Sequence, residues 1–321
     1  MFAKKIVPME PHSKKKLVKD PDYCYQIKWD GVRLLTFIAG EKMRLQGRSL
    51  KDKSLLYPEL AVLPELVQSK NVILDGEVIA FRENRPDFYT VMQREQASPK
   101  TAVRLARTVP VYYMVFDLLY YDGAWLLEQP WEARQEIIFK QILTGDCLQL
   151  TASYQEGETL LQKMRDKGME GVVAKKKGSP YIPGPRRSSY WFKVKIQQTL
   201  AAYVGGVALR NQKPVSLLLG LGGKQLQGGA EAAGIGGGKL RYIGNVSSGL
   251  GEKELAAWYA WADENSCPEA PFENYVPVPG RGVLFVPPCK RVYVTFSEWT
   301  PSLKLRAPRL AAKPVSPQPN N

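Results

Sequence analysis

Lys28-Trp29-Asp30-Gly31-Val32-Arg33 sets an amine, a carboxylate, a glycine and a guanidinium at fixed spacing where a run of strand-forming residues ends. An amine attacks only when deprotonated, and an unperturbed lysine with a pKa of about 10.4 is almost wholly protonated at neutral pH. Arg33, other nearby cations and partial burial are expected to lower the pKa of Lys28. Asp30-Gly31 supplies a tight turn that exposes the lysine tip. Four fixed letters of this kind arise by chance in roughly one chain per few hundred. Alone, therefore, the hexapeptide also reads as a strand-ending turn flanked by solvated charges.

Other residues could serve the same chemistry. Lys193 and Lys195 are two apart in a strand-like run, so both point to one face, as two phosphate ligands would. Glu170 precedes a β-branched run that would set its carboxylate at a strand edge beside a metal. Asp75-Gly76-Glu77 forms an acidic trio, and Phe116 lies in an apolar run where an aromatic ordinarily packs into a core. His12 is the only histidine, which removes His-based triads, His–Cys dyads and HExxH zinc sites. Cys24, Cys147, Cys267 and Cys289 lie far apart without a CxxC pair, against a zinc ribbon or a disulfide framework and in favour of reduced cytoplasmic thiols. Forty-five Lys and Arg against 31 Asp and Glu give a net charge of +14 and a pI near 9.5, which favours a polyanionic partner. No apolar run reaches the ~20 residues of a membrane span, and the Lys-rich N-terminus lacks a signal-peptide core.

The elements that must hold these groups alternate along the chain. Tyr23–Lys28, Leu34–Ile38, Met43–Gln46, Asn71–Phe81, Val111–Leu119, Val172–Lys175 and Tyr190–Val194 read as strands, with helical spacing over Trp131–Leu143 and Glu158–Lys167. From Gln197 the text turns Gly-rich, with short β-runs at Ala202–Leu209, Ser216–Leu221, Leu240–Val246 and Val292–Phe296 and one helix, Glu252–Glu264. That pattern predicts a small barrel of the OB type. The fold class is α+β, with domains expected over 1–197 and 198–312 and a disordered tail over 313–321. Gly220–Gly238 reads as a long hairpin loop; its Lys224 is followed by Gln225, so it is not a phosphate-binding P-loop.

In order, KxDGxR at Lys28, Arg48-Ser49, Leu74-Asp75-Gly76-Glu77, Tyr113-Met114-Val115-Phe116-Asp117, Glu170-Gly171-Val172-Val173-Ala174-Lys175 and Trp191-Phe192-Lys193-Val194-Lys195 resemble the motifs of the covalent nucleotidyltransferases. These comprise ATP-dependent DNA ligases, RNA ligases and mRNA-capping enzymes. Ser179-Pro180-Tyr181, Pro183-Gly184, Arg186, Phe296-Ser297-Glu298-Trp299-Thr300 and Leu305-Arg306-Ala307-Pro308 narrow the resemblance to the ligase domains of bacterial end-joining DNA ligases of the LigD type. It extends from Pro8-Met9 to about Leu310. Two departures stand out. Gln26 stands where the family often has Glu. The C-terminal RxDK-like motif has no clear counterpart in Arg306-Ala307-Pro308-Arg309-Leu310-Ala311-Ala312-Lys313, so either self-adenylation is weak or Arg309 and Lys313 substitute.

The resemblance implies an ATP-grasp-like adenylation (nucleotidyltransferase) domain followed by an OB-fold domain. It implies ATP, held as covalent AMP on Lys28, and Mg²⁺ or Mn²⁺ at Glu77 and Glu170. Catalysis would fall to Lys28, Asp30, Arg33, Lys193 and Lys195. Nucleotide contacts would come from Gln26, Ile27, Arg48, Glu77, Phe116 (stacked on adenine), Glu170 and Lys175. The implied partner is nicked duplex DNA, with a Ku-like end-binding protein compatible, for a monomeric cytoplasmic enzyme of DNA repair or end joining. Two other readings share parts of this text. An RNA ligase or capping enzyme has the same core motifs, and a non-catalytic DNA-binding relative would have kept the basic surface while losing the C-terminal motif.

Overall fold

Strands that are apolar on both faces must be covered on both faces, and the N-terminal unit is layered accordingly. The computed structural model describes residues 4–185, 188–222, 239–280, 282–300 and 302–312. The chain forms two compact units, Met1–Ile196 and Gln197–Asn321.

One sheet of the first unit runs, in spatial order, β1 (His12–Ser13), β13 (Trp191–Lys195), β12 (Gly171–Lys176), β2 (Tyr23–Lys28) and β11 (Ser153–Tyr154). The second runs β10 (Leu148–Leu150), β8 (Tyr112–Tyr121), β5 (Asn71–Ile79), β3 (Val32–Ala39) and β4 (Lys42–Gly47), with β9 (Ala124–Trp125) beside β8. A separate ribbon joins β6 (Phe81–Arg82) to β7 (Arg85–Pro86). The helices are α1 (Phe88–Glu95), α2 (Pro99–Thr108), α3 (Trp131–Gln141) and α4 (Gly157–Asp166), with a 3₁₀ segment at Pro58–Leu66. Asp87 and Ser98 cap α1 and α2 by accepting from the Thr90 and Thr101 amides.

Period-two alternation assigns each face. Leu34 and Ile38 of β3 join Val72, Leu74 and Val78 of β5 in a core with Leu60, Leu63 and Ile138. The alternate residues Leu35, Phe37 and Ile73 meet Cys24 of β2 and Trp191 of β13 in a second core between the two sheets. The far face of β2 and β12 presents Tyr25, Val172 and Ala174 to Leu160 and Met164 of α4. β8 departs from regular pairing. Asp75 pairs with Asp117 and Gly76 with Val115, which leaves Phe116 as a bulge residue without a partner on β5.

The second unit orders β16 (Arg241–Val246), β15 (Lys213–Leu221), β14 (Gln198–Arg210), β18 (Arg291–Phe296) and β19 (Arg309–Ala311), with β17 (Gly282–Phe285) also on β14 and α5 (Glu252–Glu264) against the sheet. The expected barrel is not closed by a ladder. β19 spans three residues and pairs with β18 alone, so isolated contacts through the segments beside β16 and β19 link the two ends of the sheet. Leu305 N–H donates to the Ile243 carbonyl and Leu310 N–H to the Ser248 carbonyl, each at 2.8 Å. The other expected strands and helices are present, with ends shifted by a few residues. α1, α2 and the 3₁₀ segment were not anticipated. Arg186, Lys224, Lys313, the tail over 313–321 and most of Gly220–Gly238 lie outside the described residues.

Candidate active site

Three strands bring the central group together by register. Gly171 pairs with Lys28 on one side and with Lys195 on the other, so Glu170, the residue before it, lies between two lysines 142 and 25 positions away in sequence. Lys28 Nζ donates to Glu170 Oε2 at 2.5 Å, and Lys195 Nζ lies 2.5 Å from Glu170 Oε1. Glycine is required at the crossing. Gly171 has φ +149°, and a Cβ there would meet the Val194 carbonyl oxygen at 2.1 Å. Gly31 serves a similar end, since its Cβ would meet the Val78 carbonyl oxygen at 2.2 Å.

Alternation places Gln26 and Lys28 on one face of β2, opposite the side that packs on α4, with Lys193 and Lys195 in the corresponding positions on β13. Arg33, Asp75 and Glu77 occupy the facing positions of the second sheet. Arg33 grips the fully buried Asp75 through both carboxylate oxygens, at 2.5 and 2.6 Å, and also donates to the Met9 carbonyl. Tyr181 donates to Asp75 at 2.7 Å and accepts from the Met9 amide. Such a bidentate buried pair holds Arg33 in one geometry, and losing either partner would strand a buried charge.

The electrostatics correct one expectation. Burial pushes the Lys28 pKa down, but Glu170, Glu77 and Asp30 together pull it above its ordinary value. Arg33, expected to act in the opposite sense, has its charge matched by Asp75. Burial raises Glu170, yet Lys28 and Lys195 hold it below the usual carboxylate range. Glu77 is pushed up to about 7, by burial against the pull of Lys28 and Arg33, with Glu170 adding to the rise.

Phe116, implied as the adenine-stacking ring, is partly buried on its bulge, edge-on to Trp191 at 6.4 Å, with the Arg33 guanidinium 4.5 Å from the ring centre. The bulge frees its carbonyl, which accepts from Gln135 Nε2 at 3.0 Å and from Lys175 Nζ at 3.1 Å. Lys175, expected on the nucleotide, is 2% exposed and lies between the Phe116 and Trp191 rings, 4.4 and 4.1 Å from their centres. Burial lowers its pKa to about 7, with Asp117 pulling upward. Lys175 thus supports Phe116 from behind. Ile27, also expected on the nucleotide, turns its side chain into the core beneath α4, because it alternates with Gln26 and Lys28. Arg48 stands exposed beyond β4, 4.0 Å from Glu10. Asp30 contributes its charge to Lys28.

Gln26 is 1% exposed. Its Nε2 donates to Gln135 Oε1, the Thr151 carbonyl and Ser153 Oγ, while its Oε1 is buried with no hydrogen-bond partner among the described residues. Asp75, Tyr181, Met9, Thr151 and Gln135 are the contributors to which sequence reasoning assigned no role. Only Gln135 left a readable trace, as a polar residue on the buried stripe Trp131, Gln135, Ile138 of α3.

Glu77 and Glu170 lie near enough for the Glu170 charge to act on Glu77, and as hard oxygen donors they are of the type that would suit a divalent cation. Each raises the other's affinity for positive charge, and Glu77 is already pushed up to about 7. Among the described residues no group of three or more His, Cys, Asp or Glu surrounds a metal position. Two carboxylates with the remaining positions left to phosphate oxygens and water is the usual mode for Mg²⁺.

A strand-end lysine between two sheets, followed by a six-stranded second unit, is the arrangement of a nucleotidyltransferase domain with a C-terminal OB-fold domain. The chain belongs to the ATP-dependent DNA ligases: the family described as ATP dependent DNA ligase domain matches residues 1–195, and that of the ATP dependent DNA ligase C terminal region matches residues 215–313. It is 32% identical over 303 residues to the multifunctional non-homologous end joining DNA repair protein LigD of Mycobacterium tuberculosis, covering 90% of this chain and 36% of that protein. The chain thus spans little more than a third of the LigD relatives it matches. DNA ligase C1 of Mycolicibacterium smegmatis is 32% identical over 244 residues, 70% of this chain and 68% of the relative. A solved mycobacterial DNA ligase D complexed with ATP and MES is similar at a TM-score of 0.53 and 29% identity, covering 95% of this chain and 93% of that one.

Proposed function

We propose that the chain seals nicks in duplex DNA in three steps. Lys28 Nζ attacks the α-phosphorus of ATP; the N–P bond forms, the bond to pyrophosphate breaks, and AMP stays on the lysine as a phosphoramide. The AMP then moves to the 5′-phosphate at a nick, and the 3′-hydroxyl attacks that phosphate and expels AMP. The observation that carries this reading is the Glu170 carboxylate shared by Lys28 and Lys195 at 2.5 Å to each, at the meeting point of three paired strands.

Before attack Lys28 must lose a proton. In the free protein the ammonium–carboxylate pair with Glu170 opposes that loss, since Lys28 is raised and Glu170 lowered. A triphosphate seated against Lys193 and Lys195 would compete with Glu170 for Lys195 and loosen the cluster. Mg²⁺ or Mn²⁺ held by Glu77 and Glu170 would supply charge neutralisation on the phosphate oxygens. Arg33, fixed by Asp75, offers a preset cation to developing phosphate charge, and Asp30 shapes the field at Lys28. Phe116 stacks on adenine, with Gln26 and the backbone at Ile27 at the edge of the base, and the exposed Arg48 reaches the nucleotide or the DNA 5′-phosphate.

Adenylation is assigned to residues 1–197 and the grip on duplex DNA to 198–312, with the +14 charge supporting the latter. The enzyme acts as a cytoplasmic monomer in repair or end joining, alongside a Ku-like end-binding protein. No helix among the described residues is long and apolar enough to cross a membrane. The test is incubation with α-³²P-ATP and Mg²⁺, then a denaturing gel, beside Lys28→Ala. Covalent label that is ATP-specific and lost in the variant is expected. An absence of label on protein stripped of bound AMP by pyrophosphate would overturn the cycle. Sealing of nicked RNA in preference to nicked DNA would transfer the reading to an RNA ligase.

A further inference from the structure

Two backbone carbonyls fix the orientation of two buried side-chain amides. A carbonyl can only accept, so the nitrogen of Gln135 must face the Phe116 oxygen, which it meets at 3.0 Å. That turns Gln135 Oε1 toward Gln26. The nitrogen of Gln26 must likewise face the Thr151 carbonyl, at 3.2 Å, and it also meets Gln135 Oε1 at 3.3 Å. The two constraints agree, and together they leave Gln26 Oε1 as the one amide oxygen of this pair without a donor among the described residues. A buried acceptor without a donor is costly and rare in native proteins.

We propose that Gln135 is a positioning residue for base recognition: through one amide it holds the Phe116 bulge and turns the Gln26 carbonyl oxygen into an acceptor reserved for the exocyclic amine of the nucleobase. The inference rests on the reading that adenine binds against Phe116. The unpaired oxygen sits on the same face of β2 as Lys28, two residues from it, so the edge of the base and the nucleophile are set from one strand. A purine with an amine at that edge satisfies the orphan; one with a carbonyl there brings two acceptors face to face.

The network also accounts for glutamine at position 26. A carboxylate there would set one oxygen against the Thr151 carbonyl and Gln135 Oε1. Rotating the Gln135 amide to donate to it would turn Gln135 Oε1 against the Phe116 carbonyl. Either orientation opposes two acceptors, so Gln26→Glu, which restores the letter common in the family, is unfavourable in this chain.

The test measures the nucleotide concentration for half-maximal adenylation of Lys28, and the rate at saturation, with ATP and with inosine triphosphate, whose base carries a carbonyl in place of the amine. Gln135→Leu is expected to raise the half-maximal ATP concentration about tenfold and to cut the preference for ATP by about tenfold. The rate at saturation should change by less than about threefold, because the amide touches none of the reacting atoms. Gln135→Glu can still accept from Gln26 but cannot donate to Phe116, so it should weaken both nucleotides and keep the preference. Gln26→Glu should weaken ATP. An unchanged ATP preference in Gln135→Leu, or tighter ATP in Gln26→Glu, would overturn the proposal. Should Gln135→Leu fail to fold, the other two variants decide it. Wild-type protein that takes no label from ATP at all would instead sink the adenylation reading, a distinct outcome.

Discussion

Lys175 is the residue whose replacement gives the most quantitative test of how the site is built. Its amine is buried behind Phe116, and its pKa falls from 10.5 to about 7. For a base depressed on folding, both states hold the proton below about pH 6, and there the folded protein carries the full penalty of a buried charge. That penalty is of order 5 kcal/mol at most for a gap of this size. As the pH climbs, the folded protein releases the proton while the unfolded chain keeps it, so stability rises until the unfolded lysine also titrates. Between about pH 7 and pH 9.5 this group alone should therefore stabilise the wild type by about 3 kcal/mol. Lys175→Met keeps most of the stem, suits the aromatic walls of Phe116 and Trp191, and removes the titration. Urea denaturation of both proteins across that range should show the wild type gaining on the variant by about 3 kcal/mol as the pH rises, with the gap constant below about pH 6. Lysine ¹³Cε NMR offers a direct reading: one lysine titrating near 7, missing in Lys175→Met. Parallel stability curves, together with no lysine titrating below about pH 9, would refute the assignment of a caged, easily neutralised amine.

Gly171→Ala forces a Cβ against the Val194 carbonyl and should cost about 3 kcal/mol or more, seen as a lower urea midpoint, with adenylation falling in step. A midpoint within about 0.5 kcal/mol of wild type would contradict the close crossing. If the basic surface neutralises about six DNA phosphates, affinity for nicked duplex should drop roughly a thousandfold from ~50 to ~200 mM salt, and a flat titration would remove duplex backbone as the partner.

Lys28, Glu170, Lys193 and Lys195 could be read from the sequence because each stands at a strand end or on a strand face, where local spacing decides orientation. The charge state of Lys28 could not. The visible neighbour was Arg33, the second residue of the next strand, whereas the groups that dominate are Glu170, 142 residues on, and Glu77, while Asp75 absorbs the Arg33 charge. Phe116 was legible as an aromatic and illegible as a bulge, since only the β5 register reveals that it has no partner. Helices α1 and α2 were announced by Asp87 and by Ser98-Pro99, but both are short and bury little, Val91 and Arg94 in α1 and Ala102 in α2, so no long apolar stripe marks them. The barrel was overdrawn because repeated short strands say how many there are, and say little about whether the two end strands, β16 and β19, are long enough to pair.

The crossing at Gly171 ties folding to chemistry in a way that reaches beyond the site. A slip of one residue between β2 and β12 would exchange the two faces of β2, carrying Ile27 into the cleft and Lys28 under α4. No form of this sheet slipped by one residue can therefore hold Lys28 beside Glu170. On the proposed mechanism, covalent AMP on Lys28 would serve as a fold reporter, marking only molecules whose strands found the correct register. Substitutions on the hidden face, at Tyr25 or Val172, remote from any phosphate, should lower the labelled fraction in proportion to the native fraction while leaving the rate per native molecule unchanged.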